Sequence, residues 1–198
     1  MHTETLKRDW NTEVSKEEIV RKLYICYPTK AFEGREEIGF HIFNEISNFF
    51  KVPFSAVHVV GSAKTGTSYF KSTEFVEGKS DLDIAIISPE LFMSYMELSY
   101  IVTKGYSDQS VFKIDPRSRR PVTEQFRDYL SKGIFRPDLM PQCNEKQEWW
   151  NFFNKLSNQH HGLFKNINAG IYATQYFFEF KQIEALKKYM EKLGGISL

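Results

Sequence analysis

The chain has little cysteine, no long apolar run and almost no excess of either charge. Its only cysteines, Cys26 and Cys143, lie far apart with no neighbouring Cys or His pattern. That spacing supports neither a disulfide framework nor a zinc site. No apolar stretch approaches the about 20 residues that a membrane span needs. The first residues, MHTETLKRDWNTEVSKEE, are polar, so no signal peptide is expected there. The expectation is a cytoplasmic protein with no membrane partner. Lys and Arg number 26 against 25 Asp and Glu, so the molecule is no general trap for polyanions, and any preference for phosphate must come from a local cluster. Aromatics, by contrast, are plentiful. With 18 Phe and 10 Tyr in 198 residues, the chain can bury a substantial core without staples.

The hydrophobic pattern predicts one domain, α+β in class. Residues 1–14 read as a loose polar arm, and 15–198 as a single domain with a core over 35–104 and a helical and late-strand part over 105–198. Ser15 and Glu18 form a capping box that opens a helix through Ile19, Leu23 and Cys26, which stops before Pro28. Ile38, Ile42, Phe43, Ile46, Phe49 and Phe50 make an apolar stripe at helical spacing over 35–50. The β-branched residues of VPFSAVHVV place a strand at 56–60. A polar loop over 61–80 follows, then the strand DLDIAII. Ser88, Pro89 and Glu90 supply a cap, a proline at the first helical position and an acid in the first turn, for a helix reaching about residue 104. Further helices are expected over 122–132, 144–158 and 175–193, and a late strand over 167–174. GIFRPDLMPQ reads as extended or turn-like because two prolines break it. The implied architecture is a short mixed β-sheet packed by helices, with helical N- and C-terminal segments.

Two features inside this pattern ask for chemistry. The strand VHVV ends in Gly61-Ser62, and the next strand starts with Asp81 and Asp83 one residue apart. Residues i and i+2 of a strand project from one face, roughly 6–7 Å apart. Both carboxylates can therefore reach one divalent cation, or bridge two held about 3.5–4 Å apart. Without a cation, two like charges side by side repel. Magnesium binds through one or two carboxylates together with substrate phosphates. Glycine lets the backbone approach a phosphate with no Cβ in the way, the Ser62 hydroxyl adds a donor, and one helical turn after Gly61 would point free N–H groups at an anion. Lys64 stands close by in sequence as a further charge.

In combination, VVGSAKTGTS followed by GKSDLDIAII resembles the DNA polymerase beta-like nucleotidyltransferase superfamily over residues 57–87. The resemblance implies a nucleotidyltransferase-like fold and Mg²⁺- or Mn²⁺-dependent transfer of a nucleoside monophosphate from an NTP, ATP first among candidates, to a hydroxyl acceptor, with pyrophosphate leaving. By position, Gly61 and Ser62 would hold the triphosphate, Ser80 would shape the turn into the strand, and Asp81 and Asp83 would carry metal and catalysis; Lys64, outside the carried-over positions, is a nucleotide-binding candidate by its charge alone. The acceptor, whether protein, RNA or another nucleotide, stays open, as does assembly with a second copy or a partner protein. Two departures stand out. The insert SYFKSTEFVEGK lengthens the path from Ser62 to Asp81 and suggests a small flap. Many members also place a third carboxylate on a later strand, whereas INAGIYAT has none, and Glu179 and Asp115 fall at no matching position. The alternative is therefore a nucleotide-sensing subunit of a bacterial defence or toxin–antitoxin complex that has lost its chemistry.

The remaining candidates have plainer readings. Arg117, Arg119 and Arg120 could contact phosphate or RNA, but a solvated loop is favoured. His160 and His161 lack a matching ligand spacing, and a helix-end role is favoured over metal. Trp149, Trp150, Phe152 and Phe153 read as core or interface ahead of base stacking. Tyr106 and Tyr172 could stack on a purine, and nothing in the sequence selects either.

Overall fold

The computed structural model describes residues 2–114 and 120–194. Where a loose arm is expected it has a helix, α1 (His2–Trp10). Its buried residues His2, Thr5, Leu6 and Asp9 follow helical spacing, but only one of them is apolar, so hydropathy does not reveal the stripe. Asp9 anchors the helix by accepting from Arg8 at 2.7 Å and Lys22 at 3.2 Å. Helix α2 (Lys16–Val20) starts as its capping residue requires, with Ser15 Oγ accepting from the Glu18 amide at 3.1 Å. It continues as a π-helical stretch, Arg21–Cys26, and ends before Pro28.

Helix α3 (Glu36–Phe50) buries Gly39, Ile42, Ile46 and Phe50 and leads through a short turn into strand β1 (Val57–Val60). The expected loop over 61–80 is more ordered than its composition suggests. It holds a five-residue helix, α4 (Gly61–Thr65), and a hairpin of β2 (Thr67–Ser68) and β3 (Thr73–Glu74). Strand β4 (Leu82–Ile87) follows, then α5 (Pro89–Val102), capped by Ser88 Oγ accepting from the Leu91 amide. The second half contributes α6 (Val122–Ser131), β5 (Ile134–Phe135), α7 (Asn144–Gln159), β6 (Ile167–Tyr172) and α8 (Gln175–Leu193). Strand β5 ends two residues before the first proline of GIFRPDLMPQ, which is how part of that segment joins the sheet despite its composition.

The sheet runs β1-β4-β6-β5. Its central pair, β4 and β6, is parallel, and β1 and β5 flank it antiparallel. This is an α+β fold with a small mixed sheet and helical ends. Among the described residues no helix is long and apolar enough to cross a membrane.

Alternation along β4 assigns each face. Leu82, Ile84 and Ile86 enter a core built with Ile42, Ile46 and Phe50 of α3 and Trp149, Phe153 and Leu156 of α7. Ala85 points the other way, into a second core with Leu23, Tyr24, Phe178 and Leu186. Helices thus pack on both faces, not only behind the sheet. The acid-bearing face is covered over Ala85 and Tyr172 by α8 and the N-terminal helices. Its other end, at Asp83, stays open.

Candidate functional site

Antiparallel pairing of β1 with β4 sets Val60 opposite Asp83, so the chain leaves β1 beside that carboxylate. Gly61 turns there with φ +69°, and a Cβ on it would lie 2.9 Å from Asp83 Oδ2. Glycine meets two demands at once: a left-handed backbone and the close approach of a carboxylate. Gly61 and Asp83, apart in sequence, form one local structure.

Asp83 is reached by solvent but sits in a recess. Burial raises its carboxyl above the ordinary range, and the neighbouring Asp81 raises it further, while Lys71 and Arg136 pull it down. Asp81 lies one residue before β4 on the same side and is oriented by Asn166, whose amide donates to Oδ1 at 2.9 Å. Ser80 shapes the approach to the strand. Its Oγ accepts from the Val76 amide at 2.9 Å, and its own amide donates to Val76 O at 2.8 Å.

Two cavities adjoin at Asp83. They share Val60, Asp83, Arg136 and Tyr172 as a common wall. One, about 420 Å³, is also lined by Trp149, Trp150, Asn168 and Asp138. The other, about 300 Å³, lies between the β2–β3 hairpin and α8, with Gly61, Ser68, Lys71 and Lys181 in its lining. Arg136 follows β5 and is held by Asp138, donating through Nε at 2.8 Å and Nη2 at 2.6 Å, with its guanidinium 4.9 Å from the Tyr129 ring centroid. Burial pulls its pKa down, but the Asp138 carboxylate, with help from the nearby tyrosines, outweighs that and holds it above the ordinary value. Parallel pairing of β4 with β6 sets Asn168 opposite Asp83 and Tyr172 opposite Ile87. Burial pushes the Tyr172 phenol up, which keeps it a neutral donor.

Other sequence candidates sit elsewhere. Ser62 follows Gly61 within α4. Lys64 is buried and donates to Tyr27 O at 2.6 Å. It lines neither cavity, and burial lowers its pKa to about 8. Lys64 braces α4 against the N-terminal segment. Glu179 is engaged by Arg21 at 2.6 and 3.0 Å and by Gln175 at 2.6 Å, an ion pair joining α8 to the N-terminal helices. Arg120 pairs with Asp128 at 2.8 Å, whereas Arg117, Arg119 and Asp115 lie outside the described residues. His161 meets Asn158 O at the end of α7. Trp149 and Phe153 are core, and Phe152 stacks on Phe49. Trp150 and Tyr172 reach the site, while Tyr106 packs on Tyr100.

Sequence reasoning missed Lys71, Arg136, Asn168 and Lys181. Asn168 carried a signal, being a polar residue at alternate spacing from Tyr172 in an apolar strand. Arg136 carried none, because its neighbours are set by strand pairing. Among the described residues no group of three His, Cys, Asp or Glu side chains could hold a metal. No family model, curated protein or solved structure compared with the chain matches it.

Proposed function

We propose that the chain is a metal-dependent nucleotidyltransferase, moving a nucleoside monophosphate from an NTP, ATP first, to a hydroxyl acceptor with release of pyrophosphate. The observation that carries this reading is the packing of Gly61 against Asp83, two residues after Asp81, on the wall shared by two cavities.

The acid pair fits a divalent cation on its own chemistry. Asp83 is raised by burial and by Asp81, a conflict that a hard cation on oxygen ligands removes. Two acids without a third donor suit Mg²⁺ or Mn²⁺, which complete their shells with substrate phosphates and water. When bound by Asp81 and Asp83, the ion would supply charge neutralisation for the phosphates and the leaving group. The protein's share is positioning. Gly61 lets the backbone close on the reacting phosphate, Arg136 offers its remaining N–H groups from the shared wall, and Asn166 holds Asp81 in aim. The acceptor oxygen forms a bond to the α-phosphorus as the bond to the β-phosphate oxygen breaks. The electron pair leaves on pyrophosphate, and the acceptor proton passes to solvent.

One observation favours a second reading. The strand position opposite Asp83 holds Asn168, and Glu179 is committed to Arg21, so the third acid common in the resembled superfamily is not supplied from either place. A nucleotide-sensing subunit of a defence or toxin–antitoxin complex would look the same. The purified protein should be incubated with each NTP, Mg²⁺ or Mn²⁺ and a cell extract, beside an Asp81→Asn/Asp83→Asn variant. Pyrophosphate release by the parent alone is expected. Metal-dependent NTP binding with no release would favour the sensor, and loss of neither binding nor release in the variant would overturn both.

A further inference from the structure

We propose that the cavity of about 300 Å³ between the β2–β3 hairpin and α8 is a polyphosphate pocket, in which Lys71, Arg136 and Lys181 grip a phosphate chain whose reactive end lies at Asp83. The identity of that chain as part of an NTP rests on the nucleotidyl-transfer reading, but the pocket's preference for polyanions does not.

The charge balance of the lining carries the inference. Three cations face one carboxylate, Asp83, in a protein whose total charge is +1. The three come from separate elements: the hairpin tip, the segment after β5, and α8. They converge only in the folded molecule. They are also incompletely neutralised. Among the described residues no salt bridge engages Lys71, Lys181 has only Glu184 at 3.6 Å, and Arg136 uses Nε and Nη2 on Asp138, leaving other guanidinium N–H groups for a ligand. The space equals about ten water volumes at ~30 Å³ each, enough for a short phosphate chain. Ser68 and the Gly61 backbone add uncharged polar groups to the wall.

The neighbouring cavity makes the contrast. It carries Asp138 as well as Asp83 against the single Arg136, and is faced by two indoles and Asn168. Its chemistry suits a ring or an uncharged acceptor and not a polyanion. The hairpin insert has a role in this arrangement. Its tip rests on α8, with Lys188 Nζ 5.1 Å from the Phe70 ring centroid and Lys192 Nζ 3.5 Å from Ser72 Oγ, which holds Lys71 in the cavity wall.

The test is calorimetric titration of the full chain in Mg²⁺ with inorganic tripolyphosphate, ATP and adenosine, at low and high salt. Parent, Lys71→Ala, Lys181→Ala, Lys181→Arg and the distant control Lys155→Ala are compared. Tripolyphosphate and ATP should bind and weaken with salt, while adenosine alone should not. Lys71→Ala and Lys181→Ala should each weaken tripolyphosphate about tenfold, with Lys181→Arg and Lys155→Ala near the parent. Circular dichroism separates these losses from misfolding. If both alanine variants bind tripolyphosphate like the parent, the pocket assignment is wrong, even where NTP turnover is found. If the losses occur as expected but no NTP yields pyrophosphate, the pocket stands and nucleotidyl transfer falls. Tripolyphosphate binding tighter than ATP would make free inorganic polyphosphate the ligand of the same pocket.

Discussion

At Asp83, burial and a like-charged neighbour act in the same direction, and the consequence is measurable as stability. The folded pKa lies above the ordinary carboxylate value, so between the two the native state holds more protons than the unfolded chain. Stability therefore falls as pH rises through that window and stays reduced above it. Asp83→Asn, which keeps the shape and removes the charge, should melt above the parent at pH 7, and the difference should vanish below the ordinary carboxylate range. Scanning calorimetry from pH 3 to 8 reads it. If the proposed NTP-dependent activity holds, the same variant should lower it about a hundredfold or more, so that stability and function move in opposite directions at one residue. Gly61→Ala brings two penalties, a side chain at positive φ and a Cβ 2.9 Å from Asp83 Oδ2. A loss of about 1–2 kcal/mol in urea unfolding is expected, with activity falling further because the contact displaces the acid.

Among the elements, α3 and α7 meet through aromatic rings. Phe50 lies 4.6 Å from Trp149 and 5.9 Å from Phe153, centroid to centroid, and Phe153 is 1% exposed. Phe153→Ala should cost about 3–5 kcal/mol by lost burial and an unfilled cavity, as a lower urea midpoint with an unchanged slope. The apolar face of each helix was readable in advance, but not that the two would pack on one another. Nor was the β2–β3 hairpin. Its strands are two residues each and are held by backbone pairing and by contact with α8, neither of which leaves a periodic trace. Helix α1 was missed for a related reason: its buried stripe is largely polar, and the tie of Asp9 to Lys22 forms only in the folded chain.

Over the whole molecule, Arg21 and Glu179 tie the N-terminal helices to α8, closing the second core over the acid-bearing face. Burial alone would raise the Glu179 carboxyl. Hydrogen bonds from Arg21 and Gln175 outweigh it and hold the pKa below the ordinary value. A depressed carboxylate stabilises the fold above its unfolded pKa, and that contribution is lost as pH falls through the folded value. Arg21→Ala leaves the buried Glu179 carboxylate short of its partner and should lower the urea midpoint at pH 7. The loss should shrink as pH falls through the folded Glu179 pKa, because a protonated carboxyl no longer needs the arginine. Urea titrations at pH 7, 5 and 3 give the comparison.

The longer helices, strands β1, β4 and β6 and the one-sided placement of Asp81 and Asp83 followed from the sequence by itself, since each depends on residues within a few positions of one another. The joining of Gly61 to Asp83, the setting of Asn168 opposite that acid and the gathering of Lys71, Arg136 and Lys181 around one cavity were decided only by tertiary structure. Strand register and helix docking are long-range choices, made by burying apolar faces elsewhere in the molecule, and they carry polar residues into contact without any local pattern to announce it.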